Sequence, residues 1–407
     1  MSELPAAAPL APEVGVIALV PDRWSDQWQP RHHVLSRLAR YFRVMWVNPA
    51  PGWRDVVRHP REYRSAVDEP VPGFSVHSPD RWLPEVHRPH LVAEVSFRLR
   101  LQGARRALER AGCTHIILYI WHPKFANALS AVDHDLSCYH IDDEYTFSPV
   151  EQPIPADEMQ LLTKCDEVFI HSPGLMAKKG MINPHTTCVP NGVDYDAFAQ
   201  PAPIPPELAA IPHPRIGYTG WLKQQLDWPL WIALAERHPE WSFVLVGGQK
   251  DEAETESPIA ELSKLPNVHL LGPRATAALA AYPQHFDVCL MPYRLDDYTK
   301  YIYPLKLHEY LATGRPTVGT PIQSLQPFAS VVALPSTADG WSRAIAEALG
   351  EEENAPERCA ERQRVAREHD WAVLVGRIAQ VMAAGLGRPL TQILEGPEAR
   401  ELASFMQ

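Results

Sequence analysis

Lys306 and Glu309 lie three residues apart in the segment Tyr303-Pro304-Leu305-Lys306-Leu307-His308-Glu309-Tyr310-Leu311-Ala312-Thr313-Gly314-Arg315-Pro316-Thr317-Val318. At helical spacing they share one face. Pro304 suits a helix entrance, where its missing N–H would have gone unsatisfied anyway. Gly314 and Pro316 mark the stop, and Leu307 and Leu311, four apart, can face a core. An ammonium, the free N–H groups of a helix start and a carboxylate together suit a phosphorylated sugar. The cation and N–H groups would take phosphate, and the carboxylate would take ribose hydroxyls. The same spacing also describes an ordinary amphipathic helix with an i,i+3 ion pair.

A second group of candidates is acidic. His140-Ile141-Asp142-Asp143-Glu144-Tyr145 follows an apolar strand pattern. Three consecutive acids can be a solvated turn or a helix N-terminus. At a strand's C-terminal end, Asp142 or Asp143 can instead deprotonate a hydroxyl as a general base. His122, which also ends a strand pattern, is an alternative base or a structural hydrogen-bonding histidine before Pro123. The loop Trp24-Ser25-Asp26-Gln27-Trp28-Gln29-Pro30-Arg31 offers aromatic faces on which a sugar can pack, so Trp24, Trp28 and Arg31 are acceptor-site candidates; packed surface tryptophans are the alternative. Neither Asp142-Asp143 nor Asp296-Asp297 has the D-x-D spacing of a divalent-ion site, and no histidine pair or Cys/His set has zinc spacing. No metal and no cofactor is expected.

These groups must be positioned by a chain of 407 residues, long enough for two or three domains. Its formal charge of −11 argues against a nucleic-acid partner. Residues 31–110 run the other way, with 15 arginines against 8 acidic residues. Arginines mixed with Trp53, Tyr63 and Phe97, as in Gly52–Arg64 and Phe97–Arg106, can rest on an anionic membrane surface or form a solvated face. The six cysteines are widely spaced without a C-x-x-C, which reads as free, mostly buried thiols in a reducing cytoplasm. Val14–Val20 is too short for a signal core or a membrane span.

The apolar runs alternate with helical patterns. Val14–Val20, Val44–Val47, His115–Ile120, Leu136–Ile141 and Glu167–His171 read as buried parallel strands, with helices over His32–Arg40 and 92–111. Gln200–Pro214 holds six prolines in 15 residues and reads as a stiff linker. A second strand–helix series follows, through Ile216–Thr219, Ser242–Val246, Val268–Leu271 and Val288–Met291. The expected fold is α/β, with two Rossmann-like doubly wound domains facing a cleft at their strand C-terminal ends. The expected division is 1–199, a linker at 200–214, a second domain over 215–370, and a tail over 371–407.

The segment P-L-K-x-x-E-Y-x-A-x-G-x-P-x-V resembles the donor-site signature of bacterial GT-B glycosyltransferases close to the GT4 group. Asn191-Gly192-Val193-Asp194 with Phe198, Gly217-Tyr218-Thr219-Gly220, and Leu290-Met291-Pro292-Tyr293-Arg294 match three further landmarks in the family's order. The resemblance runs from about Val14 to Asp370. It implies Glu309 on the donor ribose, and Lys306 with the backbone at Leu305–Lys306 on the diphosphate. Gly220, with no Cβ, can let the backbone approach that diphosphate; Lys223 can add a cation or be a solvated loop lysine; and Arg274, where the family holds the base, can stack on the base, reach a phosphate or be a surface arginine. It implies an acceptor site in the first domain and a last helix crossing back onto it. The family's second glutamate, eight positions before Glu309, is replaced by Tyr301.

The expected activity is transfer of a sugar from a UDP- or GDP-sugar to a glycan or lipid-linked acceptor, in cell-surface polysaccharide or glycoconjugate synthesis. The expected enzyme is cytoplasmic or peripheral on the inner membrane face; the GT4 resemblance implies retention, in which the leaving phosphate takes the proton, whereas an inverting enzyme would use Asp142, Asp143 or His122 as its base. A nucleotide-sugar 2-epimerase and a non-catalytic nucleotide- or glycan-binding protein are the alternatives.

Overall fold

The computed structural model describes residues 8–58, 66–79, 82–85, 88–146, 148, 150–250, 252–388 and 390. Two sheets are formed. The first holds β1 (Ala11–Leu19), β2 (Phe42–Val47), β3 (Ala66–Val71), β4 (Phe74–Ser78), β5 (His115–Ile120), β6 (Leu136–Ile141), β7 (Glu167–Ile170) and β8 (Thr186–Cys188), in the order β3-β4-β2-β1-β5-β6-β7-β8. The second holds β9 (Arg215–Thr219), β10 (Ser242–Val246), β11 (Val268–Gly272), β12 (Val288–Met291) and β13 (Thr317–Gly319), in the order β11-β10-β9-β12-β13. Every neighbouring pair is parallel except β3 and β4. The central strands β1, β5 and β6 are buried on both faces, which explains their near-continuous apolar runs. Strand β3 carries Pro70 and two acids and lies at the sheet edge, where a missing N–H is tolerated. This hairpin has no alternating pattern and was not legible beforehand.

The two α/β units are the Rossmann-like pair expected. Helix Trp371–Gly385 crosses back to the first domain, burying Trp371, Leu374, Val375, Ile378 and Met382 in the core built by β1, β2 and helix Pro30–Leu38. The Trp371 ring stacks on His33 with centroids 5.3 Å apart. Of the expected tail, residues 391–407 lie outside the described residues.

The passage between domains lies earlier than the proline-rich stretch. The Val193 N–H donates to the His369 carbonyl (3.0 Å), and the Trp371 N–H donates to the Val193 carbonyl (2.9 Å), so the outgoing and returning chains are paired. From there Tyr195, Leu208 and Ile211 are buried in the second domain's core. Gln284 ties down the start of the stretch, donating to the carbonyls of Phe198 (3.0 Å) and Gln200 (2.9 Å). Gln200–Pro214 is therefore a strap on the second domain and not a free linker. Its prolines stiffen the path, but Leu208 and Ile211 decide where it packs.

Candidate active site

The donor candidates converge at the C-terminal end of β9. Gly220 has φ of +127°, and a Cβ built there would lie 2.5 Å from both Cε and Nζ of Lys306. The Lys306 ammonium also sits 5.1 Å from the centroid of the Tyr218 ring. The helix Lys306–Ala312 is pinned to the strand end by Tyr310, whose hydroxyl accepts the Thr219 N–H at 2.9 Å. Leu305 and Lys306 head this helix, where the first N–H groups have no carbonyl inside it. Burial pushes the Glu309 carboxyl above its usual range, with the Lys306 charge opposing. The Glu309 charge is felt by both Tyr218 and Tyr293, so the carboxylate belongs to the same wall. The sequence thus yields one surface with a cation over a side-chain-free turn and a carboxylate one helical turn away.

Gly220→Ala tests this packing. The added methyl must displace the Lys306 ammonium, and φ is unfavourable for an L-residue, a strain of about 1–3 kcal/mol. The melting temperature is expected to fall accordingly, read by differential scanning calorimetry.

The acceptor-side candidates sort themselves by their partners. Arg31 pairs with Asp22 and donates to Asp142 Oδ2 at 2.6 Å. Burial opposes the Arg31 charge, but the two carboxylates outweigh it and its pKa is raised. Asp142 Oδ1 also accepts from the Tyr145 hydroxyl at 2.9 Å. Arg31 and Asp142 are thus held by each other. His122 accepts the Lys124 N–H on Nδ1 at 3.1 Å. Burial and the Lys124 charge lower its pKa to about 4, so near neutral pH its proton sits on Nε2, as a donor and not as a base.

Asp143 differs. Burial and the Asp142 charge raise its pKa to about 6. Oδ1 accepts from the Glu144 N–H (2.8 Å) and from the Tyr298 hydroxyl (3.1 Å), and the Lys223 charge acts on it as well. Tyr298 and Lys223 belong to the second domain, so Asp143 is a point where the two domains meet. Tyr298 was not singled out in the sequence, and its position beside Asp296-Asp297 gave no hint of a partner 155 residues away.

A carboxyl raised from 3.8 to about 6 costs the folded state roughly 3 kcal/mol when ionised. An amide in its place would keep an oxygen for both hydrogen bonds without that charge. Asp143→Asn is therefore expected to stabilise the protein by about 1–3 kcal/mol at pH 7.5. The penalty is full above the folded pKa and absent below the unfolded one. The gain should therefore shrink as pH falls from about 6 toward 4, a trend read from melting temperatures across that range.

The remaining candidates lie apart from the wall or are occupied by packing. The Trp24 ring is 4.6 Å from Phe74 and 5.4 Å from both Trp28 and Trp46, an aromatic cluster against the first core. Trp28 stacks on His32 at 5.8 Å. Arg274 pairs with Glu207 and donates to the Tyr282 hydroxyl at 2.8 Å, which ties β11's following turn to the 206–209 strap. Asp296 accepts the N–H groups of Tyr298 (3.0 Å) and Thr299 (2.8 Å), a local turn. Among the described residues, no three His, Cys, Asp or Glu side chains gather as a metal site.

Tyr301, eight positions before Glu309, is buried in the first domain's core and its hydroxyl donates to Glu151. Lys300 (2.6 Å) and Lys178 (2.7 Å) bind the same carboxylate. Gly174 makes room: a Cβ there would lie 2.4 Å from the Lys300 carbonyl. The phenol is thus a fastening between domains where the signature has an acid.

Residues 213–351, nearly all of the second domain, match the family of glycosyl transferases group 1. The chain is 27% identical over 398 residues to TuaH of Bacillus subtilis (strain 168), a protein assigned as a glycosyltransferase of teichuronic acid biosynthesis. That match covers 90% of this chain and 96% of TuaH. In fold it is similar to the E. coli trehalose-6-phosphate structure bound with UDP-2-fluoro glucose, at TM-score 0.66 and 12% identity, covering 92% of this chain and 99% of that one. It is also similar to Anabaena Alr3699/HepE in complex with UDP and glucose, at TM-score 0.63 and 14% identity, covering 91% and 100%.

Proposed function

We propose that this chain is a GT4-like glycosyltransferase that moves a sugar from a UDP- or GDP-sugar to a glycan or lipid-linked acceptor. The observation that carries the reading is the Lys306 ammonium packed over Gly220, with Glu309 on the same wall. Lys306 takes the diphosphate and Glu309 the ribose hydroxyls. The acceptor enters from the first domain, near Asp143 and His122. TuaH, in teichuronic acid biosynthesis, supports a role in cell-surface polysaccharide or glycoconjugate synthesis.

Transfer with retention fits these residues best. Asp142 is held by Arg31 and Tyr145, His122 offers a proton on Nε2, and Asp143 accepts from Tyr298. A trehalose-6-phosphate synthase similar in fold is described as transferring with retention. The C1–oxygen bond to the diphosphate breaks with its electron pair passing to the phosphate. The acceptor oxygen bonds to C1 from the same face, and its proton passes to the leaving phosphate oxygen. Lys306 neutralises the charge that develops there. No metal or cofactor is invoked.

Incubation with a panel of UDP- and GDP-sugars tests the reading. Acceptor-dependent nucleotide release is expected, and NMR of the product should show the donor's anomeric configuration. A new sugar nucleotide without release would identify a 2-epimerase, and tight nucleotide binding without turnover would identify a binding protein. Among the described residues no helix is long and apolar enough to cross a membrane. A peripheral position on the inner membrane face would rest on the arginine-rich region; of that region, His59-Pro60-Arg61-Glu62-Tyr63-Arg64 lies outside the described residues.

A further inference from the structure

A cavity of about 890 Å³ opens in the first domain where β1 and β2 end, at Leu19 and Val47, beneath helix His90–Arg110. The C-terminal ends of parallel strands are where α/β sheets bind ligands, and this volume lies within the usual range for such sites. None of its lining belongs to the nucleotide wall of the second domain.

Two chemistries meet in its lining. Arg88, Arg98, Arg100 and Lys124 face only two carboxylates, Glu85 and Glu94. Among the described residues none of the four cations is in an ion pair. Arg100 is half-buried and Lys124 exposed, and the protein around them lowers the pKa of both. Four cations against two carboxylates leave a positive excess that an incoming anion would neutralise. The second chemistry is apolar. Leu91, Val95 and Leu99 lie four apart along the helix, so they form one stripe, and they rim the same cavity while 76%, 57% and 45% exposed. An exposed apolar stripe beside a cluster of cations marks a surface with a ligand to cover it.

The cavity also adjoins the acceptor edge. Lys124 is two residues beyond His122 and gives its N–H to that ring, and its charge is felt against Asp22, the partner of Arg31. Lys124 thus joins the lining of the cavity to the loop that carries His122.

We propose that this cavity binds the phosphate of a lipid-linked acceptor, with Arg88, Arg100 and Lys124 on the phosphate and the apolar chain laid along Leu91, Val95 and Leu99. The proposal rests on the glycosyltransferase reading for calling this ligand an acceptor. Its binding site stands independently of that reading, because the test uses neither nucleotide nor sugar.

The probes are farnesyl diphosphate below its micelle concentration, inorganic diphosphate, farnesol, and phosphatidylglycerol vesicles, titrated into the full chain. Farnesyl diphosphate is expected to bind at least tenfold more tightly than diphosphate or farnesol. Arg100→Gln with Lys124→Gln should weaken it at least tenfold while UDP affinity stays within twofold, which also shows that the variant is folded. Leu91→Gln with Val95→Gln, at exposed positions, should weaken farnesyl diphosphate and leave diphosphate binding unchanged. Equal affinity for diphosphate and farnesyl diphosphate would overturn the proposal in favour of a free-phosphate site. Binding to vesicles without binding to farnesyl diphosphate would overturn it in favour of a surface contact. Unchanged farnesyl diphosphate affinity in both double variants would overturn it outright. Absence of sugar transfer, with farnesyl diphosphate still bound, would count against the transferase reading and leave the site standing.

Discussion

Lys306→Ala is expected to lower kcat by about 10²–10³-fold, the usual effect of removing one group aimed at developing charge. In the proposed reaction, negative charge grows on the diphosphate as the bond to C1 breaks. The ammonium is already fixed against Gly220 and the Tyr218 ring, so little reorganisation is needed when that charge appears. The loss should fall on kcat more than on KM, because the interaction strengthens as the transition state forms. Lys306→Arg should recover only part of the rate. A guanidinium is broader than an ammonium, and the space over Gly220 is filled by the end of the lysine chain. Steady-state kinetics of the three proteins on one donor checks this. Equal losses in kcat for a donor with a better leaving group would count against the role.

Glu309→Ala is expected to act on affinity instead. A charged hydrogen bond to a neutral hydroxyl contributes about 1.5–3 kcal/mol, so the donor Kd should rise roughly 10–100-fold. Part of the carboxylate's strength comes from its environment, since burial disfavours its charge and an incoming pair of ribose hydroxyls relieves that. The substitution also removes a carboxylate that costs the empty protein something to keep ionised. Glu309→Ala should therefore melt no lower than wild type while binding nucleotide weakly. A lower melting temperature together with unchanged nucleotide affinity would assign Glu309 a structural role.

The wall at the end of β9 was legible because its parts are local. Lys306 and Glu309 are three residues apart, and Gly220 closes a strand whose apolar run is plain. Strands β1, β5 and β6 were equally plain, since burial on both faces leaves a continuous apolar stretch. The meeting of domains was not legible. Asp143 and Tyr298 are 155 residues apart, and Tyr301 and Glu151 are 150 apart. No pattern within a window reports such a pair, so Tyr301 read as a departure from a signature when it is a fastening. The strap at Gln200–Pro214 was misplaced for a related reason. Proline content reports stiffness, and only the core that accepts Leu208 and Ile211 reveals which domain holds it. Trp24 was ambiguous because an aromatic ring suits a sugar as well as Phe74 and Trp46.

The central claim is that one wall at the end of β9 grips a nucleoside diphosphate. A crystal structure with UDP or GDP bound, whichever binds more tightly, tests it most directly. The account predicts a diphosphate oxygen within hydrogen-bond distance of Lys306 Nζ, beside Gly220, and ribose hydroxyls on the Glu309 carboxylate. A nucleotide seated elsewhere, with Lys306 and Glu309 untouched, would contradict it.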